Sequence, residues 1–250
     1  MPIADEAFLA GMGLFETLAI RRGRLLDLRE HLDRLDRGAA RIGADPPRRS
    51  ELSSVAERAA AEEPAACAWL KIVLTQGGRW FVFTGGMDPQ EEGRPISAVL
   101  LPWRRSLRDP LGDIKSLSYA ANLVGLREAS RRGADEGIWL NTRGHLAEGC
   151  TCNLFVVRGR KLFTPSTGEG ILPGVVRSLV LRFAAEQGII VHRGKVRVRR
   201  LSEADEAFVT SSLRGVRPLV RFEGRPVGSG RPGPVTRVIA EGVATIREGE

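Results

Sequence analysis

The sequence is short of the residues that build disulfides, metal sites and stacking surfaces. It has three cysteines, Cys67, Cys150 and Cys152. An odd count predicts no disulfide framework. The three histidines, His31, His145 and His192, are scattered without ligand spacing, so Cys150-Thr151-Cys152 reads as buried thiols and no metal is expected. There is one tyrosine, no zinc-finger spacing and no RNP-like aromatic segment. A net charge of +8 and a pI near 10.3 could suit nucleic acid. However, the basic doublets Arg21-Arg22, Arg104-Arg105, Arg131-Arg132 and Arg199-Arg200 are dispersed along the chain. Attraction for small anionic substrates accounts for the charge, and no nucleic-acid partner is expected. No apolar run is long enough to span a bilayer. The opening Met1-Pro2-Ile3-Ala4-Asp5-Glu6 lacks the basic and apolar regions of a signal peptide, so a cytoplasmic location is expected.

Lysine is scarce as well. Of 38 basic residues only Lys71, Lys115, Lys161 and Lys195 are lysines. Arginine stays charged and is a poor nucleophile, whereas lysine can lose its proton and form a Schiff base. Lys115 sits where a strand-like end meets a predicted helix. Tyr119, the sole tyrosine, lies four residues on, one helical turn away. The plainer reading is a surface lysine beside a packed tyrosine.

At 250 residues, 42% hydrophobic and 27% charged, the chain can bury a sizeable core. Periodicity predicts a strand over Gly13–Ile20, a helix capped by Asp27 with Glu30 in a capping-box arrangement, and a helix over Arg49–Glu62. A hairpin follows over Trp69–Thr75 and Trp80–Thr84, then a strand over Ala98–Leu101. Pro102, Pro110 and Gly112 mark a linker, drawn at 104–113 between an N-terminal domain of residues 1–103 and a C-terminal domain of residues 114–250. Beyond it come the Lys115 helix and strands over Gly137–Asn141, Asn153–Val157 and Lys161–Thr164. Next are a helix over Val175–Gln187, a strand over Ile189–His192 and a short helical piece at Ser202–Asp205. Strands over Ala207–Thr210 and Val216–Phe222 and a helix from Pro234 complete an α+β chain without tandem repeats.

Two segments suit an anion. Leu172-Pro173-Gly174-Val175-Val176-Arg177 opens a helix on glycine, where backbone N–H groups and the helix dipole favour phosphate. Thr210-Ser211-Ser212-Leu213-Arg214-Gly215 offers hydroxyls and N–H groups after a strand. Each alone has an ordinary reading, as a helix start or a turn. Glu148 is a charged residue in an apolar surrounding, either on a strand edge or held for a partner. A Schiff-base lysine, a phosphate cup and an inward carboxylate together are what pyridoxal phosphate requires.

Six ordered blocks carry a family resemblance from about Phe8 to Arg237. They are Gly11 to Thr17, His31 to Leu35, Lys115 to Asn122, Ala134 through Glu148 to Phe155, Gly170 to Arg177, and Ala204 through Pro218. The chain resembles the class IV, or D-amino-acid and branched-chain, aminotransferase fold, and within it most resembles the aminodeoxychorismate lyases. The resemblance implies a two-domain α+β fold with pyridoxal 5′-phosphate between the domains, in a homodimer. It implies Lys115 as the Schiff-base and proton-transfer lysine and Glu148 as the partner of the ring nitrogen. Arg34 would reach the phosphate, with the backbone of Val175 and Val176 and the Ser212 hydroxyl completing the cup and Ser211 also binding the cofactor. Tyr119 would contact the ring hydroxyl. Lys71 and Arg79 match positions linked to carboxylate recognition in the lyases, and Arg214 would touch substrate. The implied reaction releases pyruvate and 4-aminobenzoate, a folate precursor, from a carboxylate-bearing amine. The alternative is transamination of D-amino or branched-chain amino acids. Met12 departs from the family pattern. So does Val176, whose side chain cannot bind phosphate, and a short strand before Phe8 is missing.

Overall fold

The computed structural model describes residues 5–249. Residues 1–4, which bear on the missing first strand and on the leader, lie outside the described residues. The chain forms two compact units. One holds the chain as far as Glu91, together with Ile114–Tyr119 and the residues from Arg247 onward; the other holds Glu92–Asp113 and Ala120–Ile246.

The first unit contains α1 (Glu6–Ala10), β1 (Gly13–Arg21), β2 (Arg24–Leu25), α2 (Leu28–Ile42), α3 (Arg49–Glu62), β3 (Cys67–Thr75) and β4 (Trp80–Gly86). Its antiparallel sheet has the order β2-β1-β3-β4. Period-two alternation puts Leu14, Leu18 and Ile20 of β1 with Leu70, Ile72 and Leu74 of β3 on one face. There they pack with Leu32, Leu35 and Ala39 of α2 and Leu52 and Ala56 of α3. The opposite face carries Phe15 and Thr17, paired in register with Val73 and Lys71; Lys71 in turn pairs with Phe83.

Asp27 does not cap α2. Its φ is 57° and its side chain makes no capping bond. Its Oδ2 instead accepts from Arg247 Nε at 2.8 Å, both side chains being buried. The capping-box reading saw the correct helix start but could not see a partner 220 residues away.

The second unit contains β5 (Ile96–Arg105), α4 (Ala120–Arg131), β6 (Glu136–Asn141), β7 (His145–Gly149), β8 (Asn153–Arg158), β9 (Lys161–Pro165), α5 (Val175–Glu186) and β10 (Ile190–Gly194). It continues with β11 (Val196–Arg197), α6 (Val198–Ser202), β12 (Glu206–Ser211), β13 (Gly215–Phe222), β14 (Arg225–Pro226) and α7 (Pro234–Gly249), whose last turn groups with the first unit. The sheet order is β10-β9-β8-β12-β13-β5-β6-β7-β11, with β14 on β13. One apolar cluster joins Leu179 and Val180 of α5 and Ile239 and Val243 of α7 to the stacked pair Phe155 and Phe208, 4.8 Å between ring centroids.

Three local expectations change. Arg104 and Arg105, drawn into the linker, close β5 instead, and the β5–β6 register shifts between Leu100 and Arg104. Pro102 falls in that interruption, where a missing N–H costs no ladder bond. The contact division falls after Glu91, with Ile114–Tyr119 returned to the first unit. The short helix lies at Val198–Ser202, not Ser202–Asp205. The helix after Lys115 begins only at Ala120. No helix among the described residues is long and apolar enough to cross a membrane.

Candidate active site

Lys115 is fixed by its backbone. Its carbonyl accepts from Phe15 N–H at 2.9 Å, and Leu117 N–H donates to the Gly13 carbonyl at 2.9 Å. A bridge pairs Ser116 with Leu14, so the segment lies along the open edge of β1. This requires Gly13, because a Cβ there would press on the Leu74 carbonyl and the Leu117 side chain. Lys115 Nζ lies 4.1 Å from the Phe15 ring centroid and 5.3 Å from that of Tyr119. Phe15 and Tyr119 meet edge to face at 5.2 Å. Tyr119 is not one helical turn from Lys115; the intervening chain is not helical, and Phe15 brings the two together.

Lys71 Nζ is 5.4 Å from the same Phe15 ring. Two of the four lysines thus flank one aromatic ring. Arg79 is exposed in the β3–β4 turn, where its backbone N–H donates to Thr75 Oγ1 at 3.2 Å. No contact of its side chain joins it to Lys71.

Arg34 projects from α2 onto Glu16 of β1, on the sheet face opposite Phe15. Its Nε donates to Glu16 Oε1 at 2.8 Å and its Nη2 to Oε2 at 2.6 Å. His31 Nδ1 lies 2.6 Å from Oε2. All three side chains are buried. Burial pushes the Glu16 carboxyl up, but the charge and hydrogen bonds of Arg34, then His31, pull it further down, to about 2. Burial lowers the His31 pKa more than the Glu16 carboxylate raises it. Its Nε2 is buried without a hydrogen-bond partner. Sequence reasoning missed Glu16. The signal was a carboxylate at the inward register position between Leu14 and Leu18.

In the second unit Glu148 of β7 is buried. Its Oε2 accepts from Asn153 Nδ2 at 2.9 Å and from Leu172 N–H at 3.0 Å. Its Oε1 accepts from Arg105 Nη1. Asn153 Nδ2 also donates to the Leu172 carbonyl at 2.9 Å, tying Glu148 to the chain that enters α5. Arg105, Asn122 and Asn153 were not read from the sequence, since nothing local marks residues that converge from β5, α4 and β8.

Residues 175 and 176 open α5. Gly174 stands at the cap, no side chain caps the helix, and its first turn has no acidic residue. The first-turn N–H groups lack intrahelical acceptors. A Cβ at Gly174 would overlap Asn153 Oδ1. The side chains of Val175 and Val176 are buried, so only their backbone can serve a ligand. Ser211, Ser212 and Arg214 are half-buried at the β12–β13 turn, next to Thr210, whose Oγ1 is buried without a partner. An uncapped twelve-residue helix, adjacent hydroxyls and a carboxylate held by three donors form a donor set that fits a phosphate and a protonated ring nitrogen.

Fold and donor chemistry together define a two-domain pyridoxal-phosphate enzyme. The chain belongs to the class IV aminotransferase family, which it matches over residues 13–222, and it shares that family's dependence on pyridoxal 5′-phosphate. The D-alanine aminotransferase of Bacillus licheniformis is 30% identical over 251 residues, 94% of this chain and 87% of that protein. The branched-chain aminotransferase of Thermoproteus uzoniensis, solved with norvaline, superposes with a TM-score of 0.89 at 26% identity, covering 100% of this chain and 90% of that one. A Legionella pneumophila structure named as a candidate 4-amino-4-deoxychorismate lyase superposes with a TM-score of 0.87 at 23% identity, covering 100% and 95%. At that identity it shares the fold alone. The sequence put the lyases first; the relatives' names favour the aminotransferases.

Proposed function

We propose that the protein is an aminotransferase that moves an amino group from a D-amino or branched-chain amino acid to a 2-oxo acid. The relatives' names favour transfer over elimination, and the observation that carries the pyridoxal-phosphate chemistry is Lys115. It is pinned by backbone bonds to β1, with its ammonium on the Phe15 ring beside Tyr119. Bound pyridoxal phosphate supplies an aldehyde that condenses with amines and a ring that stores electrons. Lys115 Nζ would hold that aldehyde, and its amine would be the group that moves a proton at the carbon bearing the substrate nitrogen. Glu148 keeps the ring nitrogen protonated. Arg34, the Val175 and Val176 N–H groups and the Ser211 and Ser212 hydroxyls hold the phosphate, and Tyr119 meets the ring hydroxyl. Arg214 contacts substrate. The working form is a homodimer.

A second reading rests on Lys71. Its ammonium shares the Phe15 ring with Lys115, which supports a substrate carrying an extra carboxylate, such as aminodeoxychorismate. Arg79 would be the second cation. Single turnovers decide between the two. Conversion of bound cofactor to its amine form by D-alanine or a branched-chain amino acid, reversed by a 2-oxo acid, supports transfer. Sustained pyruvate and 4-aminobenzoate from aminodeoxychorismate, with no acceptor present, would move the assignment to the lyase. Absence of both reactions would sink both readings.

A further inference from the structure

We infer that Arg105 is a positioning residue that sets how tightly Glu148 holds the proton on the cofactor's ring nitrogen. The inference rests on the role proposed above for Glu148 and asks what regulates that carboxylate. Arg105 closes β5, in register with Asn141 of β6. Its Nη1 donates to Glu148 Oε1 and its Nη2 to Asn122 Oδ1 at 2.5 Å, and the guanidinium lies 5.4 Å from the Trp139 ring centroid. Contacts from β5, β6, β7 and α4 therefore hold the cation in one place. The side chains of Arg105 and Glu148 are 16% and 7% exposed, so solvent screens the pair only weakly.

The other carboxylate oxygen is occupied by Asn153 Nδ2 and Leu172 N–H. A carboxylate with donors on both oxygens and a cation against one of them is a weaker base than a lone buried carboxylate. Arg105 thus takes part of the charge that Glu148 would otherwise offer to the ring N–H. The ring proton is held more loosely, and the ring is a milder electron sink, with Arg105 than without it. Asn153 and Leu172 fix the direction of the carboxylate; Arg105 fixes its strength.

The experiment competes bound pyridoxal phosphate on the holoenzyme against its 1-deaza analogue, which has carbon in place of the ring nitrogen. The ratio of the two affinities reads the contact at that atom and nothing else in the site. A damaged fold weakens both ligands alike and leaves the ratio alone. Glu148→Gln should lower the preference for the natural cofactor. Arg105→Gln should raise it about tenfold, since a guanidinium in contact with a carboxylate is worth at least about one pH unit. Arg105→Lys keeps the cation and should stay near the wild-type ratio. An unchanged or lowered ratio in Arg105→Gln, with Glu148→Gln still effective, overturns the inference and leaves the ring-nitrogen role of Glu148 standing. If Glu148→Gln has no effect either, that role itself falls. Should Arg105→Gln fail to fold, Arg105→Lys carries the test: a tenfold change there, with the charge kept, contradicts it.

Discussion

Replacing Glu16 by glutamine removes the charge that Arg34 and His31 share, and the cost can be worked out. The Glu16 carboxyl falls from 4.5 to about 2 in the folded protein. At about 1.4 kcal/mol for each pH unit, that displacement stabilises the fold by about 3 kcal/mol. Glu16 is 1% exposed, so screening takes little from this. Because the folded pKa is depressed, the contribution is present above pH 4.5 and is lost as pH falls toward 2. By pH 3 about 2 kcal/mol of it should be gone. His31 acts in the same direction from a higher starting point. Its folded pKa is lowered from 6.5, chiefly by burial, so its pH-dependent contribution is lost as pH drops below that value. Glu16→Gln also leaves the buried Arg34 cation without its carboxylate, which costs about 3–5 kcal/mol at neutral pH. Urea unfolding of both proteins at pH 7, 5 and 3 tests this. The stability gap should narrow by about 2 kcal/mol between pH 7 and pH 3. A gap of equal size at both ends would refute the reasoning.

Other substitutions and reagents test neighbouring parts. Lys115→Ala should abolish turnover with the melting temperature kept within a few degrees; normal turnover would remove Lys115 from the chemistry. Gly174→Ala drives a Cβ into Asn153 Oδ1. It should cost about 1–3 kcal/mol and weaken cofactor binding about tenfold, read by thermal melts and cofactor titration. Binding as tight as wild type would show that the α5 entry does not hold the phosphate. The Cys150 thiol is pushed up to about 12 by burial and the Glu136 charge, and Cys152 is raised by the same causes. A maleimide at pH 8 should spare both in the folded protein and reach both after denaturation. Labelling of either in the folded state would contradict that account.

What the sequence revealed divides along a physical line. Segments whose partners are near in sequence or repeat with a period were legible: β1 from its alternation, α3 over Arg49–Glu62, the β3–β4 hairpin and the start of α5 at Pro173-Gly174. Lys115 and Glu148 stood out because their residue types were anomalous where they occurred. The contacts that give those residues their chemistry were not legible. Arg105 reaches Glu148 across 43 residues and Asn122 across 17, and Arg247 reaches Asp27 across 220. No local pattern encodes such pairs. Pro102 misled for a different reason. Proline usually ends a strand, but a register shift in the β5–β6 ladder gave it a place inside one. Tyr119 misled in its route rather than its destination: it meets Lys115 through the Phe15 ring, although helical spacing had suggested the same proximity.

The central claim is that Lys115 bears the cofactor, and four lysines in the chain make it a question with few possible answers. The holoenzyme would be reduced with borohydride, digested and mapped by mass. A pyridoxyl group on the peptide containing Lys115, and on no other, is the predicted result. The same mass on the Lys71 peptide, or on none, would contradict the account.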